Sequence, residues 1–187
     1  MHSTVSFILP TLGRRDSIQK TIDSIELWEG DELLVVNLHR EKPQGCGGEE
    51  RTLGIGYAKC DYLAFIDDDD AYTQGARQAM HAAAEANPRK FPILFRMRYP
   101  SGRLVWDQPK FRCGNVGTPC IFLPNIKERI PPWGPGHFAD FNLLNSLGSG
   151  WEHHYFIFNP FVIVDLGRED VRWWGKQKLP VPEGLPT

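Results

Sequence analysis

Tyr62-Leu63-Ala64-Phe65-Ile66-Asp67-Asp68-Asp69-Asp70 is a short apolar run that ends in four consecutive carboxylates. The apolar residues predict a buried strand. Adjacent like charges repel one another, and oxygen ligands clustered at a strand end suit Mg²⁺ or Mn²⁺. A solvated acidic turn is the alternative for such a run taken alone. The strand before it favours a ligand site, because open α/β sheets bind ligands at the carboxyl ends of their strands.

Composition fits one soluble domain. The chain has 187 residues, of which 41% are hydrophobic and 24% charged. These values are ordinary for a globular protein, and the length allows one sizeable core. We find no apolar run of bilayer length and no basic-then-apolar leader. Four cysteines without a C-x-x-C pair favour reduced thiols, so we expect a cytoplasmic protein.

Charge is divided unevenly along the chain. Residues 1–88 carry 8 basic and 15 acidic side chains, and residues 89–187 carry 13 basic and 8 acidic. An acidic half suits a metal, and a basic half suits a phosphate-bearing ligand. The imbalance is too small to establish a nucleic-acid partner by itself.

The first 66 residues alternate strand and helix. Strands are predicted at 4–9, 32–37 and 62–66. Between them, Ile18, Ile22 and Ile25 mark one helical face, and a second helix is predicted over 49–59. This order builds a right-handed parallel arrangement, so the predicted fold is α/β with a central, mostly parallel sheet flanked by helices.

The pattern changes after a further predicted helix over 73–86. Segments 91–98 and 103–106 predict a hairpin around a Pro-Ser-Gly turn. Residues 119–136 contain five prolines and predict a loop over the active face. A helix over 137–147 and a strand or bent strand pair over 154–164 follow. Residues 180–187 predict a disordered, proline-rich tail.

Two segments together resemble the family 2 glycosyltransferases. Those enzymes open with an apolar strand ending in Pro-Thr, and later carry A-R-N-x-G-x-x-x-A-x-G-x-Y-I-x-F-L-D-x-D-D. The matching residues here are Val5-Ser6-Phe7-Ile8-Leu9-Pro10-Thr11 and Glu50-Arg51-Thr52-Leu53-Gly54-Ile55-Gly56-Tyr57-Ala58-Lys59-Cys60-Asp61-Tyr62-Leu63-Ala64-Phe65-Ile66-Asp67-Asp68-Asp69-Asp70. The resemblance covers residues 4–75 well and 137–147 weakly.

The resemblance implies a GT-A, Rossmann-like fold in one domain over residues 1–179. Residues 1–88 would bind the nucleotide sugar, and residues 89–179 would bind the acceptor. It further implies a UDP-sugar donor, Mn²⁺ or Mg²⁺, and inversion at the sugar carbon. The metal neutralises the diphosphate that leaves when the sugar bond breaks.

The resemblance also implies roles for individual residues. Asp67 and Asp69 form the D-x-D pair, with Asp69 as the direct metal ligand, while Asp67 and Asp68 contact ribose or hold neighbouring groups. Arg51 holds either Asp67 or the diphosphate. His153 or His154 completes the metal shell, unless it is an ordinary core or edge histidine. The remaining donor-binding positions are Pro10, Thr11, Gly13, Arg14 and Asn37.

Asp140 matches the family's general base at the start of the predicted 137–147 helix. A helix N-terminal carboxylate with no catalytic role is the alternative. Trp133 and His137 precede it and predict a platform for the acceptor. The acceptor is a saccharide or glycan by family default, and a protein or a modified nucleic-acid base also fits the basic, aromatic second half.

Some positions depart from the family. Asn37 stands where the second strand usually ends in an acidic residue that reads the base, so the base stays open. A nucleotidyltransferase is a second interpretation, but residues 10–15 lack its glycine-rich loop. A non-catalytic module that holds Ca²⁺ or a carbohydrate is a third, and residues 171–178 mix tryptophans with basic residues as membrane-surface segments do.

Overall fold

The structure, a computed structural model, describes residues 2–11, 16–39, 47–105, 108, 113–136, 138–147 and 156–167. Within these ranges the helices are α1 (Ile18–Asp23), α2 (Gly48–Tyr57), α3 (Ala76–Glu85) and α4 (Ala139–Leu147). The strands are β1 (Val5–Pro10), β2 (Glu32–Val36), β3 (Tyr62–Phe65), β4 (Ala71–Tyr72), β5 (Ile93–Arg98), β6 (Leu104–Val105), β7 (Ile121–Pro124) and β8 (Ile157–Asp165).

All the described strands belong to one sheet in the order β2-β1-β3-β7-β5-β8-β4, with β6 paired to β5. Strands β2, β1 and β3 are mutually parallel, and β5 and β8 continue their direction beyond the antiparallel β7. Five strands therefore point the same way, while β7, β6 and β4 oppose them. This confirms the predicted α/β class with a mainly parallel sheet and flanking helices.

The strands at the centre are apolar because both of their faces are covered. Every residue of β1, β3 and β7 is buried, including Phe7, Phe65 and Phe122. Helix α2 packs against β1 and β2, and α3 packs against β8. Among the described residues, no helix combines the length and the apolarity needed to cross a membrane.

Residues 119–136 are not a continuous loop, so that prediction is wrong. Ile121–Pro124 forms β7, a buried strand that pairs antiparallel with both β3 and β5. Two of the prolines that suggested a loop lie outside the strand interior: Pro119 precedes β7 in a short 3-10 turn, and Pro124 is its last residue. Proline is tolerated at such positions because few ladder hydrogen bonds depend on its missing N–H.

A buried ion pair closes the end of the sheet away from the acidic run. Arg77 of α3 donates to both carboxylate oxygens of Asp31 at 2.6 and 2.9 Å, and both side chains are almost fully buried. The guanidinium also donates to the Ser3 carbonyl at 2.7 Å and lies 4.4 Å from the centre of the Trp28 ring. The pair thus joins α3 to the segments before β1 and β2.

We expect Arg77→Met to lower the free energy of unfolding by about 3–5 kcal/mol, because the buried Asp31 carboxylate keeps its backbone N–H donors but loses the cation that balances its charge. Arg98→Met is the matched control. It breaks the Arg98–Asp165 pair, whose side chains are 47% and 48% exposed, and should cost far less. Urea denaturation of both variants measures this, and equal losses would contradict it.

Candidate active site

The four carboxylates that follow β3 alternate between two environments. Asp68 and Asp70 are 8% and 5% exposed, whereas Asp67 and Asp69 are half-buried. Thr11, just after β1, donates its hydroxyl to Asp68 Oδ2 at 2.8 Å. The backbone N–H of Gly167 donates to Asp70 Oδ1 at 2.9 Å. The fold therefore uses two carboxylates internally and leaves the other two partly exposed.

Helix α1 holds the backbone of the same run. Ser17, at its N-terminal cap, donates its hydroxyl to the Asp68 carbonyl at 2.7 Å. Thr21, one turn later and fully buried, donates to the Asp70 carbonyl at 2.7 Å. Residues four apart lie on one face of a helix, so both hydroxyls reach the run together.

Gly167, just beyond β8, makes the closest backbone approach in the site. A Cβ atom added there would lie 1.6 Å from the carbonyl oxygen of Asp69 and 2.7 Å from its carbonyl carbon. No side chain fits this space unless the acidic run or the end of β8 moves. The residue thus keeps the segment after β8 in contact with the carboxylates.

Arg51 of α2 is a buried cation beside the run. It forms an ion pair with Asp67, and it is 4% exposed while the Asp67 side chain is 33% exposed. Its guanidinium carbon lies 5.1 Å from the centre of the Trp133 ring, which in turn meets Phe65 of β3 edge-on at 4.8 Å. A planar guanidinium suits both the carboxylate and the ring.

Backbone contacts fix the start of α2 to the segment that carries Trp133. A Cβ atom at Gly48 would lie 2.6 Å from the Gly134 carbonyl oxygen, so only glycine allows this approach. The Trp133 N–H donates to the Thr52 hydroxyl at 2.9 Å, and that hydroxyl donates to the Gly48 carbonyl at 2.9 Å. Arg51 and Trp133 are therefore placed by a shared set of contacts.

Asp140, the second residue of α4, faces the same cluster. Thr118 donates its hydroxyl to Asp140 Oδ1 at 2.6 Å. Burial of the carboxyl group raises the pKa of Asp140, although the residue as a whole is only half-buried. The Arg51 charge and the Thr118 hydrogen bond oppose that rise in pKa, and the Asp67 charge adds to it. A carboxylate with a raised pKa is a better proton acceptor than an ordinary aspartate.

The carboxylates at this site fit a metal ion that is held partly by the protein and partly by the phosphates of a bound ligand. Among the described residues, no three His, Cys, Asp or Glu side chains converge as a metal-binding group. The partly exposed Asp67 and Asp69 oxygens match the usual Mg²⁺ arrangement, in which one or two carboxylates act together with substrate phosphates. Asp68 and Asp70 are buried and accept internal hydrogen bonds, so they fit a supporting role.

Other predicted site residues lie at the ends of the parallel strands. Pro10 ends β1, and the Thr11 N–H donates to the Val36 carbonyl at 3.0 Å. Asn37 follows β2, and its side-chain oxygen accepts from the His39 N–H at 2.7 Å. Trp133 is 4% exposed and its ring lies against the Arg51 guanidinium, so little of the ring is open to an acceptor. The predicted residues outside the described ranges are Gly13, Arg14, His137, His153 and His154.

Sequence reasoning missed Thr118, Ser17, Thr21 and Gly167. The i, i+4 spacing of the two α1 hydroxyls was visible, and polar residues on the inner face of a short helix could have indicated a buried partner. Thr118 and Gly167 gave no such indication, because their partners are 22 and 97 residues distant along the chain.

A known protein family matches the central part of the chain. The glycosyl transferase family 2 model matches residues 35–145, more than half of the chain. The chain belongs to this family. The match confirms the predicted family. No curated protein sequence matches the chain.

Solved structures of two glycosyltransferases are similar to this chain in fold. TarS of S. aureus in complex with UDP-GlcNAc is 14% identical, with a TM-score of 0.63 over 94% of this chain and 62% of that one. Glucosyl-3-phosphoglycerate synthase of Mycobacterium tuberculosis, with Mn²⁺ and UDP-glucose, is 17% identical, with a TM-score of 0.67 over 92% and 74%. The chain spans only 36% of a longer TarS structure.

We expect Gly167→Ala to lower the free energy of unfolding by about 1–3 kcal/mol, because the new methyl group collides with the Asp69 backbone. Gly56→Ala, in α2, is the control: a Cβ atom there meets nothing within 4 Å. Replacing that helical glycine should instead add up to about 1 kcal/mol. Thermal or urea unfolding checks the opposite signs, and a Gly167→Ala variant as stable as wild type would contradict the proposed fit.

Proposed function

We propose that this transferase moves a sugar from a nucleoside diphosphate donor to an acceptor hydroxyl, with a divalent metal and with inversion at the sugar carbon. One observation carries the proposal. Asp140, a proton acceptor with a raised pKa, shares a site with the Arg51–Asp67 pair and the partly exposed Asp69. An inverting transfer needs these two elements close together: a place for the diphosphate and a base for the acceptor.

A UDP-sugar is the proposed donor. TarS has been solved with UDP-GlcNAc, and the glucosyl-3-phosphoglycerate synthase has been solved with UDP-glucose and with Mn²⁺ or Mg²⁺. Both proteins are under 20% identical to this chain, so they support the donor class without assigning the sugar. The free thiols of Cys60 and Cys120 support a cytoplasmic location.

Asp69 is the proposed direct metal ligand, and Asp67 the second carboxylate of the pair. When bound, Mn²⁺ or Mg²⁺ neutralises charge on the departing diphosphate. Arg51 orients Asp67 through their ion pair and adds a fixed positive charge to the site. Asp68 and Asp70, fixed through Thr11 and Gly167, keep the loop in one conformation.

Asp140 is the proposed general base. The acceptor oxygen forms a bond to the anomeric carbon while the bond from that carbon to the phosphate oxygen breaks. The acceptor proton passes to Asp140, and the nucleoside diphosphate leaves with the electron pair. Thr118 orients the carboxylate by its hydrogen bond to Oδ1. Attack from the face opposite the leaving group inverts the sugar carbon.

The acceptor is proposed to lie on the side of residues 89–179, where α4 presents Asp140, and the donor on the side of residues 1–88. A saccharide or glycan hydroxyl is the default acceptor. A protein hydroxyl and a modified nucleic-acid base are the other members of an acceptor screen. Variants at His137, His153 and His154 would show whether those residues bind acceptor or metal.

Calorimetry with UDP, GDP, TDP and CDP, with and without Mn²⁺, tests this proposal. We expect one nucleotide to bind in a metal-dependent way and Asp69→Ala to abolish that binding. Asp23→Ala removes an exposed carboxylate of α1 and should change nothing. Metal binding without any nucleotide binding would contradict the transferase and favour a metal-binding module.

Asp140→Asn should lower turnover by about 10²–10⁴-fold, because the amide cannot take the acceptor proton. Nucleotide affinity should stay close to that of wild type, since the base acts on the acceptor. Steady-state rates with the matching nucleotide sugar, together with calorimetry, separate the two effects. Unchanged turnover would leave Asp140 as a helix N-terminal carboxylate.

The rate should fall as the pH drops through the pKa of Asp140, because only the ionised carboxylate accepts a proton. Burial raises this pKa, so the acid limb should lie above the ordinary aspartate value of about 3.9. Thr118→Val removes a hydrogen bond that lowers the pKa, so it should move the limb to higher pH. Profiles of kcat for both proteins measure the shift, and a limb that stays in place or moves down would contradict the role of Thr118.

A further inference from the structure

Glu50 is a buried carboxylate that the proposed chemistry does not use. It lies in the first turn of α2 and is 4% exposed, and its Oε2 atom has no hydrogen-bond partner among the described residues. Glu49, its neighbour in the same turn, is exposed. A carboxylate is rarely buried without a partner, because the lost hydration must be replaced. The position therefore requires a hydrogen-bond donor.

The packing of α2 shows where Glu50 lies. Gly54, one turn further along the helix, stands over Ile8 of β1, where an added Cβ atom would be 2.6 Å from Ile8 Cγ2. Gly47, before the helix, stands beside Pro10, where an added Cβ atom would be 3.3 Å from Pro10 Cβ. Glu50 lies between these contacts on the same helix face. It is thus at the carboxyl end of β1, on a helix that packs against both β1 and β2.

The adjacent face of α2 contacts the acidic run after β3. Arg51 lies one residue further along and pairs with Asp67 at the end of β3. The two consecutive residues therefore face two adjacent regions of one sheet edge. Arg51 serves the β3 side, where the diphosphate is proposed, and Glu50 serves the β1–β2 side.

The donor must extend from β3 toward Glu50 if the proposed function holds. The transferred sugar lies between the diphosphate and the general base, and Asp140 stands next to Thr118 on the β7 side of the sheet. The nucleoside is attached to the opposite end of the diphosphate. It must then lie toward β1 and β2, at the crevice where open α/β sheets bind their ligands.

We propose that Glu50 selects the base of the donor by accepting a hydrogen bond from a ring N–H. An ionised carboxylate is an acceptor only. It can pair with uracil, thymine or guanine, which carry a ring N–H on the pairing edge, and it repels the ring nitrogen lone pair of cytosine or adenine. Asn37 is less suited to this role, because an amide can both accept and donate and therefore discriminates less between bases. Its side-chain oxygen also accepts from the His39 N–H.

Specificity of this kind is strong when the protein group is buried. A wrong base leaves the carboxylate without a partner inside the site, and that penalty exceeds the small difference in shape between bases. The positive end of the α2 dipole favours the negative charge, but it supplies no hydrogen bond to Oε2. A bound base supplies the missing hydrogen-bond donor through its ring N–H, and its ring excludes water from the carboxylate.

The test compares matched nucleotide pairs in the presence of Mn²⁺: UDP against CDP, and GDP against ADP. Calorimetry is run on wild type, Glu50→Gln and Glu49→Gln. One of the two pairs will bind more tightly. Within it, we expect wild type and Glu49→Gln to bind the nucleotide whose base has a ring N–H (UDP or GDP) at least about tenfold more tightly than the other nucleotide. Glutamine keeps the shape of the side chain and can both donate and accept, so Glu50→Gln should reduce that ratio to about one.

The outcomes distinguish a failure of the proposed role of Glu50 from a failure of the proposed function. Metal-dependent binding with an unchanged ratio in Glu50→Gln, or with no wild-type preference, overturns the role of Glu50 and leaves the transferase intact. Absence of nucleotide binding in all three proteins overturns both proposals. Thermal unfolding confirms that Glu50→Gln is folded, and Glu50→Ala, which can neither accept nor donate, should lose the preference as well.

Discussion

Repulsion among the carboxylates of residues 67–70 is the constraint on which the rest of the site depends. The chain meets it by burying alternate members, with hydrogen-bond donors supplied by elements far apart in sequence. Thr11 follows the first strand and Gly167 follows the last described strand, so the acidic run takes its conformation only when β1, β3 and β8 are together. The partly exposed Asp67 and Asp69 are then held in place before any ligand arrives, which lowers the entropic cost of binding.

Arg51 balances the charge that remains. Its guanidinium is buried against Trp133, and this burial limits the screening of its charge by solvent. The same charge pairs with Asp67 and lowers the pKa of Asp140, which burial raises. The same cation thus contacts one carboxylate of the proposed metal-binding pair and restrains the rise in the pKa of Asp140, the proposed base. A base shifted further would be protonated at neutral pH, and one shifted less would accept protons weakly.

Local patterns predicted the half of the fold in which neighbours in sequence are also neighbours in space. Strands β1 to β3, helix α2 and the acidic edge all follow from apolar runs, helical spacing and the family resemblance. β7 was missed because the five prolines of residues 119–136 outweighed a four-residue apolar run, although Pro119 precedes the strand and Pro124 is its last residue. Thr118 and Gly167 were missed for another reason. Their roles depend on long-range register and on backbone clearance, which no local pattern records.

The chain was divided at residue 88 by its charge and by the ligand that each part is proposed to bind. The sheet is not divided at that residue. β7, from the second part of the chain, pairs directly with β3 from the first. The turn that carries Thr118 runs straight into β7, so the partner of Asp140 is fixed to the strand beside the acidic run. Neighbouring strands lie about 4.8 Å apart, and that spacing helps to set the distance between Asp140, the proposed base, and the acidic run. Under the proposed function, changes in the loops around α4 can therefore alter the acceptor without moving Asp140, as long as the β3–β7 pairing is kept.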